Sequence, residues 1–307
     1  MTRFILRRIG KAGLTIWFIW TIVFILIRLA GDPIEWMLPD FAQESVKQEL
    51  RESLGLNLPI WQQYIHSFSN IFTGEMGTSY YYKRDVVELF MERFATTYQI
   101  AVPALFIAGT LGIFFGVIAA VKHDTMIDRM VMSVAIIFHT IPGFAFAIIL
   151  ILIFSLWFHI LPSGSTGTWK HMVMPIICLT VGTMATVSRL TRSSMLDVLD
   201  KEYLDGARMK GAKETTVIIK HALRNSLIPV VTTLGLQLGT IIGGAVVVET
   251  VFGWPGVGAL LVEAAKQRDF PVVQFGVLLL AIVVNAANIL VDVSYGWLDP
   301  RIRETFK

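Results

Sequence analysis

Charge is scarce in this chain and cysteine almost absent. Only 16% of its 307 residues are Asp, Glu, Lys or Arg, while 54% are hydrophobic; soluble globular domains sit near about 25% and about 45–50%. That deficit excludes an ordinary water-exposed surface over most of the chain and points to a protein solvated by lipid. The one cysteine, Cys178, lies in an apolar run, so it forms no internal disulfide, has no metal-ligand spacing and reads as a small buried hydrophobe. A net charge of +3 without a basic patch gives no footprint for nucleic acid. No Ser-His-Asp set, His-Glu-x-x-His pair or paired carboxylates occur, so no catalytic or metal residue is assigned. Nor is there a Gly-x4-Gly-Lys-Ser/Thr loop, and a chain that uses ATP must therefore have it bound by another subunit.

What the sequence does have is long uncharged runs. They cover residues 12–27, 94–121, 130–169, 171–188, 225–248 and 270–291. A membrane helix needs roughly 20 apolar residues. The first run is short, but Lys11 and Arg28 flank it and can snorkel. No small-x-small cleavage site follows it, so it reads as a retained first helix and not a signal peptide. The 40-residue run is too short for two full helices plus a turn, and residues 162–167 (Pro-Ser-Gly-Ser-Thr-Gly) read as a loop. We therefore expect one long helix kinked near Pro142 and Gly143; a re-entrant hairpin broken at that pair is the alternative.

The expected fold is all-α: one integral membrane domain, 1–307, of six helices at about 9–29, 94–121, 130–159, 171–189, 226–248 and 271–296. With the N-terminus inside, residues 1–11, 122–129, 189–224 and 297–307 face the cytoplasm and carry 17 of the 26 Lys and Arg. The positive-inside rule supports that orientation, and both termini are then cytoplasmic. The segment 31–93 holds ten acidic against five basic residues. It reads as a small outer cap with short helices at 43–54 and 60–72, broken again at 73–78.

The segment 190–225 is far longer than a helix connection needs. Leu196, Leu199, Tyr203 and Ala207 recur at helical spacing, Gly211 interrupts, and Ile218, Ile219, Ala222 and Leu223 follow on one face. Two amphipathic helices joined at a glycine suit either a groove on a soluble partner or the lipid surface. Within the spans, each polar group is a functional candidate. Asn285, Asn288 and Asp292 share a face of the last helix. His139 neighbours the Pro142 break, and Glu249 ends the fifth span. Each has a plainer reading as a structural hydrogen-bonding group or interface marker. Gly112 with Gly116, and Gly239 with Gly243, have the spacing of close helix packing.

The run Tyr203-Leu-Asp205-Gly206-Ala207-Arg208-Met-Lys210-Gly211, followed by His221-Ala-Leu-Arg-Asn225-Ser-Leu-Ile-Pro229, resembles the EAA loop of binding-protein-dependent ABC importers. It resembles most the dipeptide, oligopeptide and nickel permease branch. Residues 248–258 with 268–274, 292–303, and the Leu54-Gly55-Leu56, Pro59 and Gln63-Tyr64 positions are similar to further segments of that branch, in the same order. The long segment after the first helix is similar to the first permease of the pair. This chain departs from the general loop at Gly206, where the pattern has Ala, and lacks its Ile-x-Leu-Pro.

The resemblance implies a permease subunit of a bacterial inner membrane importer for peptides or similar small solutes. Its partners would be a second homologous permease, two cytoplasmic ATPases holding ATP and Mg, and a periplasmic or lipid-anchored solute-binding protein. Tyr203, Asp205, Ala207, Arg208, Lys210 and Gly211 would meet the ATPase, with Tyr203 and Ala207 in its groove. His139, Glu249, Asn285 and Asn288 are then candidates for the path or its gate. The same machinery importing nickel is the near alternative. An ion-coupled secondary transporter is the distant one, and it would leave the 190–225 segment without a role and calls for repeats that are not evident.

Overall fold

The computed structural model describes residues 2–38 and 41–298. It is built of helices: α1 (Thr2–Leu29), α2 (Ile34–Met37), α3 (Glu44–Ser53), α4 (Ile60–Thr73), α5 (Val86–Val121), α6 (Met126–Thr140), α7 (Gly143–Leu150, running on as a π-helix over Ile151–Trp157), α8 (Lys170–Leu199), α9 (Glu202–Met209), α10 (Glu214–Thr216, running on as a π-helix over Val217–Leu223), α11 (Arg224–Phe252), α12 (Val257–Lys266) and α13 (Phe270–Leu298). Among the described residues the extended pairing is limited to an isolated bridge between Thr78 and Asp85. The all-α expectation and the two short helices of the 31–93 segment match this architecture. Gly74 at φ 79° closes α4 in the left-handed conformation that glycine adopts without a Cβ penalty.

Four stretches are long and apolar enough to cross a bilayer: Leu6–Leu29, Val86–Val121, Lys170–Leu199 and Phe270–Val291. Two bent pairs bring the number to six if each counts as one crossing. One of them revises the expected kink. Between α6 and α7 the axis turns by 102°, far more than a proline kink. Ile141 (φ −70°, ψ 123°) and Pro142 (φ −58°, ψ 135°) are both extended, because the ring of Pro142 disfavours helical geometry at the residue before it. The helix expected over 130–159 is thus two pieces. Each has 15 residues, about 22 Å, and is too short to cross about 30 Å of hydrocarbon alone. The second bent pair lies within α10–α11, where the axis turns by 54° between Gly239 and Gly243.

The bundle is organised on α5 and α8, its most extensive helix pair. A methyl group built on Gly112 would lie 2.7 Å from Val187, and one on Gly116 2.5 Å from Thr191 Cβ and 2.6 Å from the Ser188 carbonyl. At both positions α5 lies directly on the surface of α8, which is the close approach that small residues permit between membrane helices. The expected second pair is different. A methyl group built on Gly239 would make ordinary contact with Val284 at 3.4 Å, and one built on Gly243 would meet no neighbouring helix within 4 Å among the described residues. On α11 it is Gly235, pressed against Val291, that brings the helix onto α13. Cys178 is buried, and its thiol donates to the Gly143 carbonyl at 3.4 Å.

Gly116→Ala should therefore lower stability by about 1–3 kcal/mol through overpacking, read as a fall in the thermal midpoint of the purified chain in detergent. Gly243→Ala, with open space around it, should leave that midpoint unchanged or raise it slightly.

Candidate functional site

α8 ends at Leu199, and Asp200 with the extended Lys201 (φ −87°, ψ 132°) separates it from α9. This break changes the expected face. Leu196, Leu199 and Ala207 turn inward against a buried cluster of Ala120, Met195, Leu204, Val217 and Ala222. Ala207 thus faces its own chain, where a partner's groove had been expected. Tyr203 turns outward, its hydroxyl accepting from Asn225 Nδ2 at 2.8 Å. The π-helix explains the second half. Its i→i+5 spacing puts Val217 and Ala222 on the buried side and leaves Ile219 exposed, so the four residues 218, 219, 222 and 223 do not share one face.

Gly211, at φ 80°, makes the turn between α9 and α10, a conformation costly for residues with a Cβ. Arg208 braces that turn. Its guanidinium donates to Asp205 Oδ1 at 2.8 Å, and to Glu214 Oε1 at 2.9 Å and Oε2 at 3.1 Å. The two carboxylates hold the Arg208 pKa above its ordinary value, and the Arg208 hydrogen bonds hold Glu214 below its own. The segment is thus anchored inward by Leu204 and braced across its turn. Outward it presents Tyr203, Ile219 and Met209 (83% exposed), with Lys210 exposed beside them.

At the opposite end of the bundle, two buried carboxylates tie loops to helices. Glu249, fully buried near the end of α11, accepts from Thr97 Oγ1 at 2.6 Å, the Gly258 amide at 2.7 Å and the Ala259 amide at 3.1 Å. Thr97 in turn accepts from the Val257 amide at 2.9 Å. These are first-turn amides of α12, unsatisfied within their own helix, and a carboxylate there also meets the positive end of the helix dipole. The approach is close enough that a Cβ on Gly256 would collide with the Glu249 carboxylate, and one on Gly258 with the Val246 backbone. Trp254 Nε1 donates to the Thr96 carbonyl at 2.9 Å, completing the attachment of this turn to α5. Asp269, also buried, accepts from Ser79 Oγ and from the Tyr80 and Tyr81 amides at 3.0 and 3.2 Å. It joins the segment before α5 to the start of α13.

The remaining candidates are scattered. His139 is exposed one residue before the end of α6. Asn285 is half-buried and spends its amide on the Ala281 carbonyl at 2.8 Å within its own helix, and Asn288 is half-buried near it. The side chain of Asp292 lies outside the described residues. No element brings His139 together with Glu249 or the two asparagines among the described hydrogen bonds.

Sequence reasoning missed five residues. Leu204 was hidden by the assumption that the helix continued through Asp200. Thr97 is a hydroxyl inside an uncharged run and carried no signal. Asp269 stood in a quoted segment without a role. Asp128 and Arg192 form a bidentate pair at 2.6 and 2.7 Å between α6 and α8; opposite charges at the same expected membrane level were the available clue. His123, Asp124 and Asp128 bring ligand atoms within 4.8 Å of one another, but both Asp128 oxygens are engaged by Arg192, which a cation would have to displace.

Residues 112–304 match the family described as binding-protein-dependent transport system inner membrane component, and residues 1–101 match the N-terminal family of the same systems' membrane components. The chain belongs to this family. It is 36% identical over 304 residues to the glutathione transport system permease protein GsiC of Escherichia coli K12, covering 99% of both chains. It is 38% identical over 333 residues to the di/tripeptide transport system permease protein DppB of Pseudomonas aeruginosa, again over 99% of both. The fold resembles the inward-facing MetNI methionine ABC transporter, at TM-score 0.58 and 19% identity, over 69% of this chain and 97% of that one. An amino acid ABC transporter crystallised with histidines aligns at TM-score 0.51 and 14% identity, over 68% and 94%. The chain is an ABC importer permease, an all-helical membrane subunit.

Two predictions follow from the geometry of this permease. Glu249→Ala leaves a hydroxyl and two amides buried without their acceptor, and should cost about 1–3 kcal/mol, seen as a lower thermal midpoint. The Arg208 clamp is pH-dependent with a definite sign. Glu214 has its pKa lowered in the folded state from 4.5, so the clamp is fully made above pH 4.5 and is lost only as pH falls through the lower folded value. Hydrogen exchange over residues 202–216 should be slow at pH 7 and at pH 5 after correction for intrinsic rates. It should rise only in more acid solution, and Glu214→Gln should show the raised exchange already at pH 7.

Proposed function

We propose that this permease forms half of the translocation path of a peptide importer in a bacterial inner membrane and couples to cytoplasmic ATPases through residues 200–223. The observation that carries this reading is the braced segment itself. It is anchored by Leu204, turned at Gly211, and presents Tyr203, Met209 and Ile219 among Lys201, Lys210, Lys213 and Lys220. Exposed apolar side chains set among charged ones of both signs suit a groove on a soluble partner. The density of Lys and Arg on this side supports placing it, and both termini, in the cytoplasm. The opposite side, with Glu249, Asp269 and the 31–93 segment, is then periplasmic and receives solute from a binding protein.

In this reading the ATP and Mg belong to two partner ATPases, and a second homologous permease completes the path. ATP-driven closure of the ATPases moves the 200–223 segments and shifts the bundle between two states, which requires that ATP favour one of them. Full-length similarity to permeases named for glutathione and for di- and tripeptides supports short peptides as the solute class.

The test is to purify the tagged chain in mild detergent, identify what accompanies it, and screen the co-encoded solute-binding protein for ligands by thermal shift. Co-purifying ATPase subunits and stabilisation by short peptides are expected. A transporting complex without an ATPase would overturn the class, and stabilisation only by nickel or a sugar would overturn the solute. Gly211→Arg should abolish transport and ATPase co-purification while leaving membrane insertion intact. Gly211→Ala, strained by about 1 kcal/mol but without bulk, should retain most transport.

A further inference from the structure

α4 belongs by sequence to the segment that caps the bundle, yet its contacts place it at membrane depth. The Tyr64 and Thr21 hydroxyls share a hydrogen bond of 2.8 Å, and the Tyr64 ring meets Phe24 edge-on at 5.3 Å. Thr21 lies six residues inside the end of the uncharged run 12–27 of α1, about 9 Å down the helix at 1.5 Å per residue. On its other flank, Ser67 Oγ accepts from Gln274 Nε2 at 3.2 Å. Gln274 lies four residues inside the uncharged run 270–291 of α13, about 6 Å down. Two anchors on two different helices therefore hold α4 beside the crossing portions of α1 and α13, not above them.

The sequence of α4 sorts into three arcs at about 100° per residue. Tyr64, Ser67 and Ile71 form one, and its Tyr64 and Ser67 make the contacts just described. Trp61, Ile65, Phe68 and Phe72 fall together in a second arc of about 60°. Gln62, His66, Ser69 and Thr73 fill a third beside it. Phe68 in the second arc is half-buried, stacked on Tyr64 at 6.2 Å, but the rest of that arc is not covered by this chain: Trp61 is 62%, Ile65 58% and Phe72 78% exposed. α1, on which α4 packs, exposes Phe18, Ile22, Ile25 and Leu29 in the same way, and α1 is a membrane-crossing helix. α4 contains no Asp, Glu, Lys or Arg, whereas α3 just before it carries Glu44, Lys47, Glu49, Arg51 and Glu52.

We propose that α4 is an interfacial helix lying in the bilayer leaflet on this side of the protein, with Trp61, Ile65 and Phe72 among the acyl chains and Gln62, His66, Ser69 and Thr73 at headgroup level. Depth, an uncharged apolar arc and continuity with the lipid face of α1 all select lipid as the occupant. Trp61 has the amphipathic ring that favours this level of a membrane. The 31–93 segment is thereby fastened to the lipid as well as to the bundle.

The experiment uses the transporter purified with its natural partners and reconstituted in phosphatidylethanolamine–phosphatidylglycerol vesicles. In a Cys178→Ala background, spin labels are placed singly through Ile65→Cys, Phe72→Cys, His66→Cys and Glu52→Cys, and their collision rates with oxygen and with a soluble nickel chelate are compared. The labels at positions 65 and 72 should favour oxygen several-fold, and those at 66 and 52 should favour nickel. Nickel dominance at 65 and 72 would place α4 in water and overturn the proposal. Shielding of both from both reagents would mean that a protein covers the arc, which also overturns it. With the cysteine intact, brominated acyl chains should quench the parent protein more than Trp61→Phe; equal quenching of the two counts against the proposal.

Discussion

The close approach of α5 to α8 at Gly112 and Gly116 is the contact on which the rest of the molecule hangs. In hydrocarbon there is no water to expel between two apolar helices, so association rests on direct packing, and packing improves as backbones come together. The first turns of α5 (Val86, Leu89 and Phe90) pack against α12 and α13 at one end of the bundle, where Thr96 and Thr97 further along are hydrogen-bonded to Trp254 and Glu249. α8 ends at the cluster of Met195, Leu204 and Val217, at the other. A seam with Val187 and Thr191 seated directly on glycine leaves little room to slide. It makes the two helices a single strut between the two ends of the permease.

At one end of that strut, polar chemistry does what apolar packing cannot. Loops beside a membrane must satisfy their backbone amides within the protein. Glu249 and Asp269 do so by concentrating acceptors: between them they take four backbone amides and two side-chain hydroxyls. The effect is to attach α12 to α5 at Thr97, and the residues around Ser79 to the start of α13, without a disulfide. Directionality of the hydrogen bonds, more than their summed strength, makes this end specific.

The fold was legible where one physical rule acts alone. Uncharged run length found the long apolar helices, and turn residues such as Gly74 placed the ends of α3 and α4 within a residue or two. Legibility failed where two rules compete. At Pro142 the apolar run argued for one helix, but extended geometry at both Ile141 and Pro142 turned the axis by 102°. At Asp200 an apolar periodicity continued across a real helix break, which hid Leu204 and placed Ala207 on a face that is partly buried against its own chain. At Val217–Leu223 a π-helical register replaced the 3.6-residue period on which the face had been drawn. Gly211 was readable because a left-handed turn demands a particular residue. Thr97 and the Asp128–Arg192 pair were not, because a partner 64 or 152 positions away leaves no local trace.

The brace formed by Arg208 has one more consequence. A loop that folds only upon meeting its partner loses conformational freedom at that moment, and its affinity is reduced accordingly. Residues 202–216 already make their turn within the chain through one guanidinium, two carboxylates and a left-handed glycine. In the coupling role proposed above, that turn would present the geometry of engagement in advance. In that proposed role a braced turn would convey more of each displacement than a slack loop, which would absorb part of the stroke before anything beyond it moved.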